Sequence, residues 1–135
     1  SLQAAFLCVK LKHLPKWTHQ RIQNALAYYS FLKDVEEIVL PYVRPDTKHT
    51  FHLFVIKTKK RNELKYFLET QVIQTMIHFP TALPFEPAYA QFKHSRDDFP
   101  IAFGLSQEVL SLPVYPELSK KQIVYVCEKI KEFYR

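Results

Sequence analysis

Residues 50–58 read TFHLFVIKT, and both of their alternating sets are largely apolar: Phe51, Leu53 and Val55 face one way, His52, Phe54 and Ile56 the other. A strand with a wet face keeps polar side chains on it, so this pattern predicts a strand inside a sheet. Downstream, Leu64, Phe67 and Leu68 have helical spacing, and residues 72–77 predict a second strand. Pro100 suits a first helical position, which predicts a helix over 99–109, followed by a short strand over 111–114. The last helix is marked at its start, because Ser119 with Gln122 three residues later makes a capping box. Ile123, Val126, Cys127 and Ile130 then form one apolar stripe, which carries the helix to about Phe133.

Upstream of the strand, Leu2, Ala5, Phe6 and Val9 share one helical stripe, and Leu7, Leu11 and Leu14 widen it. The spacing predicts a mostly buried helix over 2–13, broad enough that apolar surface is left for self-association. Pro15 interrupts it, and Ile22, Ala25, Leu26, Tyr29 and Leu32 resume a 3.6-residue period over 15–33. Residues 41–49 have no period and predict a surface connection. Helices alternating with short strands give an α/β chain of the two-layer α+β kind, a small sheet packed with helices.

A length of 135 residues supports one hydrophobic core, and 47% apolar with 15% aromatic residues is a composition that folds. The net charge of +6 would suit an anionic partner, but it is thinly spread. Its densest piece, KTKKR at 57–61, predicts a solvated strand end and turn. Cys8 and Cys127 belong to no CxxC pair, so reduced thiols in a cytoplasmic protein are expected. No apolar run is long enough to cross a bilayer, and no membrane partner is expected. Ser1 stands where an initiator Met would, and a segment ahead of it is expected.

Several chemistries are excluded. Gly104 is the one glycine, whereas a Walker loop, a dinucleotide fingerprint or a nucleophile elbow needs two or more. His49 and His52, three apart on a strand, would face opposite ways without a third ligand, so no metal is expected, and His52 is predicted to pack beside the sheet. Glu36 with Glu37 and Asp97 with Asp98 are neighbours whose side chains diverge. Tyr28, Tyr29 and Phe31 could stack on bases, but Tyr29 belongs to the apolar stripe and no basic residues alternate with the rings, so no nucleic acid is expected.

The segment MIHFPTALPFEPAY, residues 76–89, places His78 just before Pro80, Pro84 and Pro87, so it is an irregular, stiffened loop and not a helix. Taken in order, LQAAFLCVKLKHLPKW with Arg21, HLFVIK, RNELKYFL, IQTMIHFP, EPAY, FPIAFGLSQEVLSLPVYPELS and the terminal FYR resemble the C-terminal part of the DegT/DnrJ/EryC1/StrS aminotransferases. HLFVIK, IQTMIHFP and EVLSLPVYP are similar to the branch that aminates the 3-keto position of dTDP-linked deoxysugars.

The resemblance implies the small domain of a fold-type I enzyme: residues 50–135 as that domain and helices over 2–33 leading from a large domain outside this chain. It implies pyridoxal phosphate, held with its Schiff-base lysine by the large domain, so no catalytic or cofactor-binding residue is assigned here, Lys10, Lys12 and Lys16 included. It implies a nucleotide-sugar substrate, an amino-acid donor and a homodimer. His78 occupies the histidine of the family's H-Y-P loop and, as a substrate-binding residue, could bond a sugar hydroxyl or diphosphate oxygen. Glu86 and Tyr89 are lesser substrate-binding candidates. Four positions depart from the family: Phe79 replaces Tyr, Pro84 a second His, Val72 a Gly and Phe103 an acidic residue. A freestanding binding module for an anionic ligand or protein partner is the alternative reading.

Overall fold

The computed structural model describes residues 1–135. Its helices are α1 (Leu2–Leu11), α2 (Leu14–Leu32), α3 (Arg61–Thr70), α4 (Pro100–Glu108) and α5 (Lys120–Phe133), with strands β1 (Phe54–Lys57) and β2 (Val109–Leu112). The strands pair antiparallel, Phe54 opposite Leu112 and Ile56 opposite Leu110. Single bridges add Val39 beside Lys57 and Met76 beside Ser111, so the small sheet is continued by one residue on each side. This is the α+β arrangement that the sequence predicts.

Because side chains alternate along a strand, Phe54, Ile56, Leu110 and Leu112 share one face, and all four are buried. Against them lie Ala25, Tyr28 and Leu32 of α2, Leu64 and Leu68 of α3, and Ile123, Val126, Cys127 and Ile130 of α5. The opposite face carries Val55, Lys57, Val109 and Ser111. Thus β2 divides its side chains between the core and a second surface.

The α5 start is as predicted. Ser119 Oγ accepts from the Gln122 amide while the Gln122 side chain takes the Ser119 amide at 2.9 Å, and the helix ends at Phe133. Pro100 does open α4.

The α2 stripe stands as predicted at Ala25 and Leu32, which are buried, and at Ile22 and Tyr29, which pack half-buried against the core; Tyr28 joins it and Leu26, 52% exposed, leaves it. Tyr29 still lies edge-on to Phe54 and donates its hydroxyl to the Pro41 carbonyl.

Both predicted strands over 50–58 and 72–77 shrink, for local reasons. Phe51 has φ 49, and its amide donates to the His49 ring at 2.9 Å, so extended structure begins only at Phe54. Val72 has φ 59 and closes α3, leaving the single Met76 bridge of the second strand. The strand predicted over 111–114 instead begins at Val109. α1 has no buried residue, contrary to the expectation that it is mostly buried; the expected exposed apolar surface is there, on Leu2, Phe6, Leu7 and Leu11.

KTKKR is split. Lys59 and Lys60 are exposed, but Arg61 is buried, and its guanidinium donates to the carbonyls of Ser106 and Val109 at 3.2 and 3.4 Å and to Asn62 Oδ1 at 2.7 Å. It caps the end of α4, where the helix leaves carbonyls without partners. Residues 113–115 form no strand pairs, and α2 serves their carbonyls: Tyr28 donates to Pro113 at 2.9 Å, Arg21 to Val114 at 2.8 Å and Asn24 to Tyr115 at 2.8 Å. No helix is long and apolar enough to cross a membrane.

Candidate functional site

The face of β2 turned from the core builds one wall of an open cleft of about 340 Å³. Ser111 and Leu112 to Val114 line one side, Ile73 to Met76 and His78 another, with His52 and Leu53 completing it near the Lys65 and Glu69 side chains of α3. The charged pair offsets itself, Lys65 Nζ lying 3.7 Å from Glu69 Oε2.

His78 enters the cleft because Met76 is fixed to β2. The Met76 amide donates to the Ser111 carbonyl at 3.1 Å, and the Ser111 amide returns a bond to Met76 at 2.7 Å. Two residues on, His78 Nδ1 lies 2.9 Å from Ser111 Oγ. Its ring is half-buried and edge-on to Phe79, which is 73% exposed. The His78–Phe79 peptide is cis.

Of the three predicted substrate-binding residues, only His78 lines this cleft. Glu86 and Tyr89 lie farther along the proline-rich loop, which folds into short 3-10 turns at Leu83–Phe85 and Pro87–Phe92. That loop has its own aromatic packing. Phe85 meets Phe99 and Phe103 edge-on, Tyr89 stacks on Phe92, and the Arg96 guanidinium sits 4.5 Å from the Phe103 ring centre. Phe103, one of the departures from the family pattern, thus serves as a stacking surface.

Sequence reasoning missed Ser111 and His52. His52 does not pack beside the sheet with its ring satisfied: it is exposed, and its backbone carbonyl accepts from Arg21 at 3.4 Å. Its alternation in TFHLFVIKT offered no sign of this, since the strand starts after it. Ser111 is separated from His78 by 33 residues, and only the β2 bridge brings them together.

The cleft does not fit pyridoxal phosphate as its holder. Lys65 is its one lining ammonium and is engaged by Glu69, and no aspartate lines it to face a pyridine nitrogen. Lys10 in α1, Lys12 between the two helices and Lys16 in the first turn of α2 are all exposed. What the arrangement can do is bind: it offers an imidazole, a buried hydroxyl and mixed polar and apolar walls to a ligand with hydrogen-bonding oxygens.

Comparison with known proteins gives the context. The chain is 40% identical over 136 residues to the pleiotropic regulatory protein of Geobacillus stearothermophilus, covering 99% of this chain and 37% of that one. It is 36% identical over 132 residues to the dTDP-3-amino-3,4,6-trideoxy-alpha-D-glucose transaminase of Streptomyces venezuelae, covering 98% and 35%. The fold superposes on the crystal structure of S. venezuelae DesV in complex with a ketimine intermediate, with a TM-score of 0.94 and 36% identity over 97% of this chain and 35% of that one. The chain therefore spans about a third of the length of these relatives. Residues 1–131 match the family pattern itself, and the chain belongs to the DegT/DnrJ/EryC1/StrS aminotransferase family.

Proposed function

We propose that this chain is the small-domain part of a pyridoxal-phosphate-dependent aminotransferase that puts an amino group on a nucleoside-diphosphate keto sugar, with a dTDP-3-keto-6-deoxyhexose as substrate. The observation that carries this reading is the close superposition on DesV, at a TM-score of 0.94 and 36% identity. Residues 50–135 make the small domain, and helices within 2–33 join it to the large one. The lysine and the cofactor belong to that large domain. His78 and its cleft receive the nucleotide sugar, and Glu86 and Tyr89 act on the same ligand from the adjoining loop. The enzyme works in the cytoplasm as a homodimer with an amino acid as donor.

The test uses the intact protein, pyridoxal phosphate, glutamate and a dTDP-3-keto sugar, with product mass as the readout. Formation of the 3-amino sugar nucleotide is the expected result. Failure with 3-keto sugars but success with 4-keto sugars overturns the substrate, and failure with every keto sugar overturns the activity. The 135-residue chain alone should show no absorbance of covalently bound cofactor; such absorbance would mean that one of its own lysines reacts.

A further inference from the structure

We propose that Ser111 is a positioning residue for His78: its hydroxyl donates to Nδ1, which holds the imidazole in the tautomer whose Nε2–H is offered to the cleft. The ligand group recognised there is an acceptor oxygen, such as that of a diphosphate or a sugar carbonyl. The identity of the ligand rests on the reading above; the tautomer does not.

Ser111 is 4% exposed, and its Oγ has one hydrogen-bond partner, His78 Nδ1 at 2.9 Å. A hydroxyl carries one proton to give, and a buried one is given to an acceptor whenever an acceptor is in reach. The Nδ1 lone pair is that acceptor. If Nδ1 instead carried a proton and donated it, the hydroxyl proton of Ser111 would have no acceptor inside the protein. With Nδ1 accepting, the neutral ring must carry its proton on Nε2.

Geometry fixes where Nε2 goes. The two-way bridge between Met76 and Ser111, at 3.1 and 2.7 Å, sets the separation of the two backbones. His78 is then a diagonal neighbour of Ser111 across the bridge. Nε2 makes no bond within the protein, and no buried side-chain nitrogen or oxygen is left unpartnered, so Nε2 reaches solvent within the cleft that His78 lines. At that atom the neutral ring can only donate. It therefore favours an oxygen that only accepts over one that must itself donate. Lys65 and Glu69 at the rim neutralise each other, which leaves the imidazole and the Ser111 side of β2 to set the polarity of this wall.

The test is made on the intact protein labelled with 15N-histidine, with the His78 signals identified by their loss in His78→Gln. Two-bond proton–nitrogen spectra, recorded where the ring's own titration shows it neutral, should find Nε2 protonated and Nδ1 as a hydrogen-bonded acceptor. Ser111→Ala should let both tautomers populate, moving the two nitrogen shifts towards each other. It should also raise KM for the sugar nucleotide about five- to tenfold with a smaller change in kcat, the scale of one lost hydrogen bond. Ser111→Thr, which keeps the hydroxyl, should restore both readouts. A proton on Nδ1 in the unaltered protein, or ring shifts unmoved by Ser111→Ala, overturns the proposal. If the unaltered protein binds no sugar nucleotide, the functional reading falls while the spectra still decide the tautomer.

Discussion

Ile73 donates its amide to the carbonyl of Leu68 at 2.9 Å, and with it the Val72 amide bonds Glu69 at 3.0 Å. These two bonds close α3 in a Schellman motif, with Ile73 and Leu68 both buried. The left-handed position of that motif is Val72, at φ 59 and 93% exposed. A β-branched residue is strained there, whereas glycine is not. Val72→Gly should therefore raise stability by about 0.5–1 kcal/mol, the strain relieved exceeding the added backbone entropy of the unfolded chain. Urea titration of both proteins checks it, and a lower midpoint for the glycine variant would contradict the αL assignment.

Tyr28 and Phe54 stack at 4.9 Å in the centre of the core, both fully buried. Burial pushes the Tyr28 hydroxyl well above the usual phenol range, in keeping with a neutral donor to Pro113. Tyr28→Phe should cost about 1 kcal/mol by leaving that carbonyl unpaired, and Tyr28→Ala about 3–5 kcal/mol by opening a cavity. Denaturation midpoints of the two variants separate the bond from the packing.

Arg61 is a buried cation without an acidic partner, held by carbonyls at the end of α4 and by Asn62. Arg61→Met keeps much of the aliphatic stem but leaves those carbonyls unserved, and should destabilise by about 2–3 kcal/mol. Arg61→Lys should recover only part, because a single ammonium cannot reproduce the forked geometry. Amide exchange in α4 and β2 is the sensitive readout, and unchanged protection there would refute the capping role.

Cys127 is buried and its thiol is pushed from 9.0 up to about 12, chiefly by desolvation. The unfolded thiol gives up its proton from pH 9 upward while the folded one keeps it. Its contribution is thus complete below pH 9 and is lost as pH rises towards 12. Denaturant midpoints should fall across that window, and Cys127→Val should flatten the fall. Under native conditions a thiol reagent should modify exposed Cys8 quickly and Cys127 only on unfolding.

α1 presents Leu7 at 65% and Leu11 at 63% exposure, with Leu14 and Trp17 beside them around an apolar hollow of about 470 Å³. The 135-residue chain should associate with rising concentration, as its sequence predicts. Sedimentation velocity should show a shift to monomer in Leu7→Glu/Leu11→Glu. Monomeric behaviour of the unaltered chain at high concentration would contradict the prediction.

Signals carried by neighbours in sequence were legible. The Ser119–Gln122 box and the Pro100 start each depend on residues within one turn, and each stands where predicted. In the α2 stripe only Leu26 fails, because Tyr28 stacks on Phe54 and turns the buried line towards itself, a long-range contact that a helical period does not encode. The long strand over 50–58 failed on a ring-to-backbone bond at His49 that alternation does not encode. His78 was legible through the family resemblance. Its partner Ser111 was not, because a single β-bridge across 33 residues unites them.

The three carbonyls of residues 113–115 are satisfied from α2 by partners 85, 93 and 91 positions earlier in the chain. Tyr28 can meet Phe54 early, but the carbonyl bonds of Arg21, Asn24 and Tyr28 form only when the segment after β2 closes over α2. Ordering of this unit therefore waits on contacts between distant parts of the chain, a high-contact-order closure that makes folding slow.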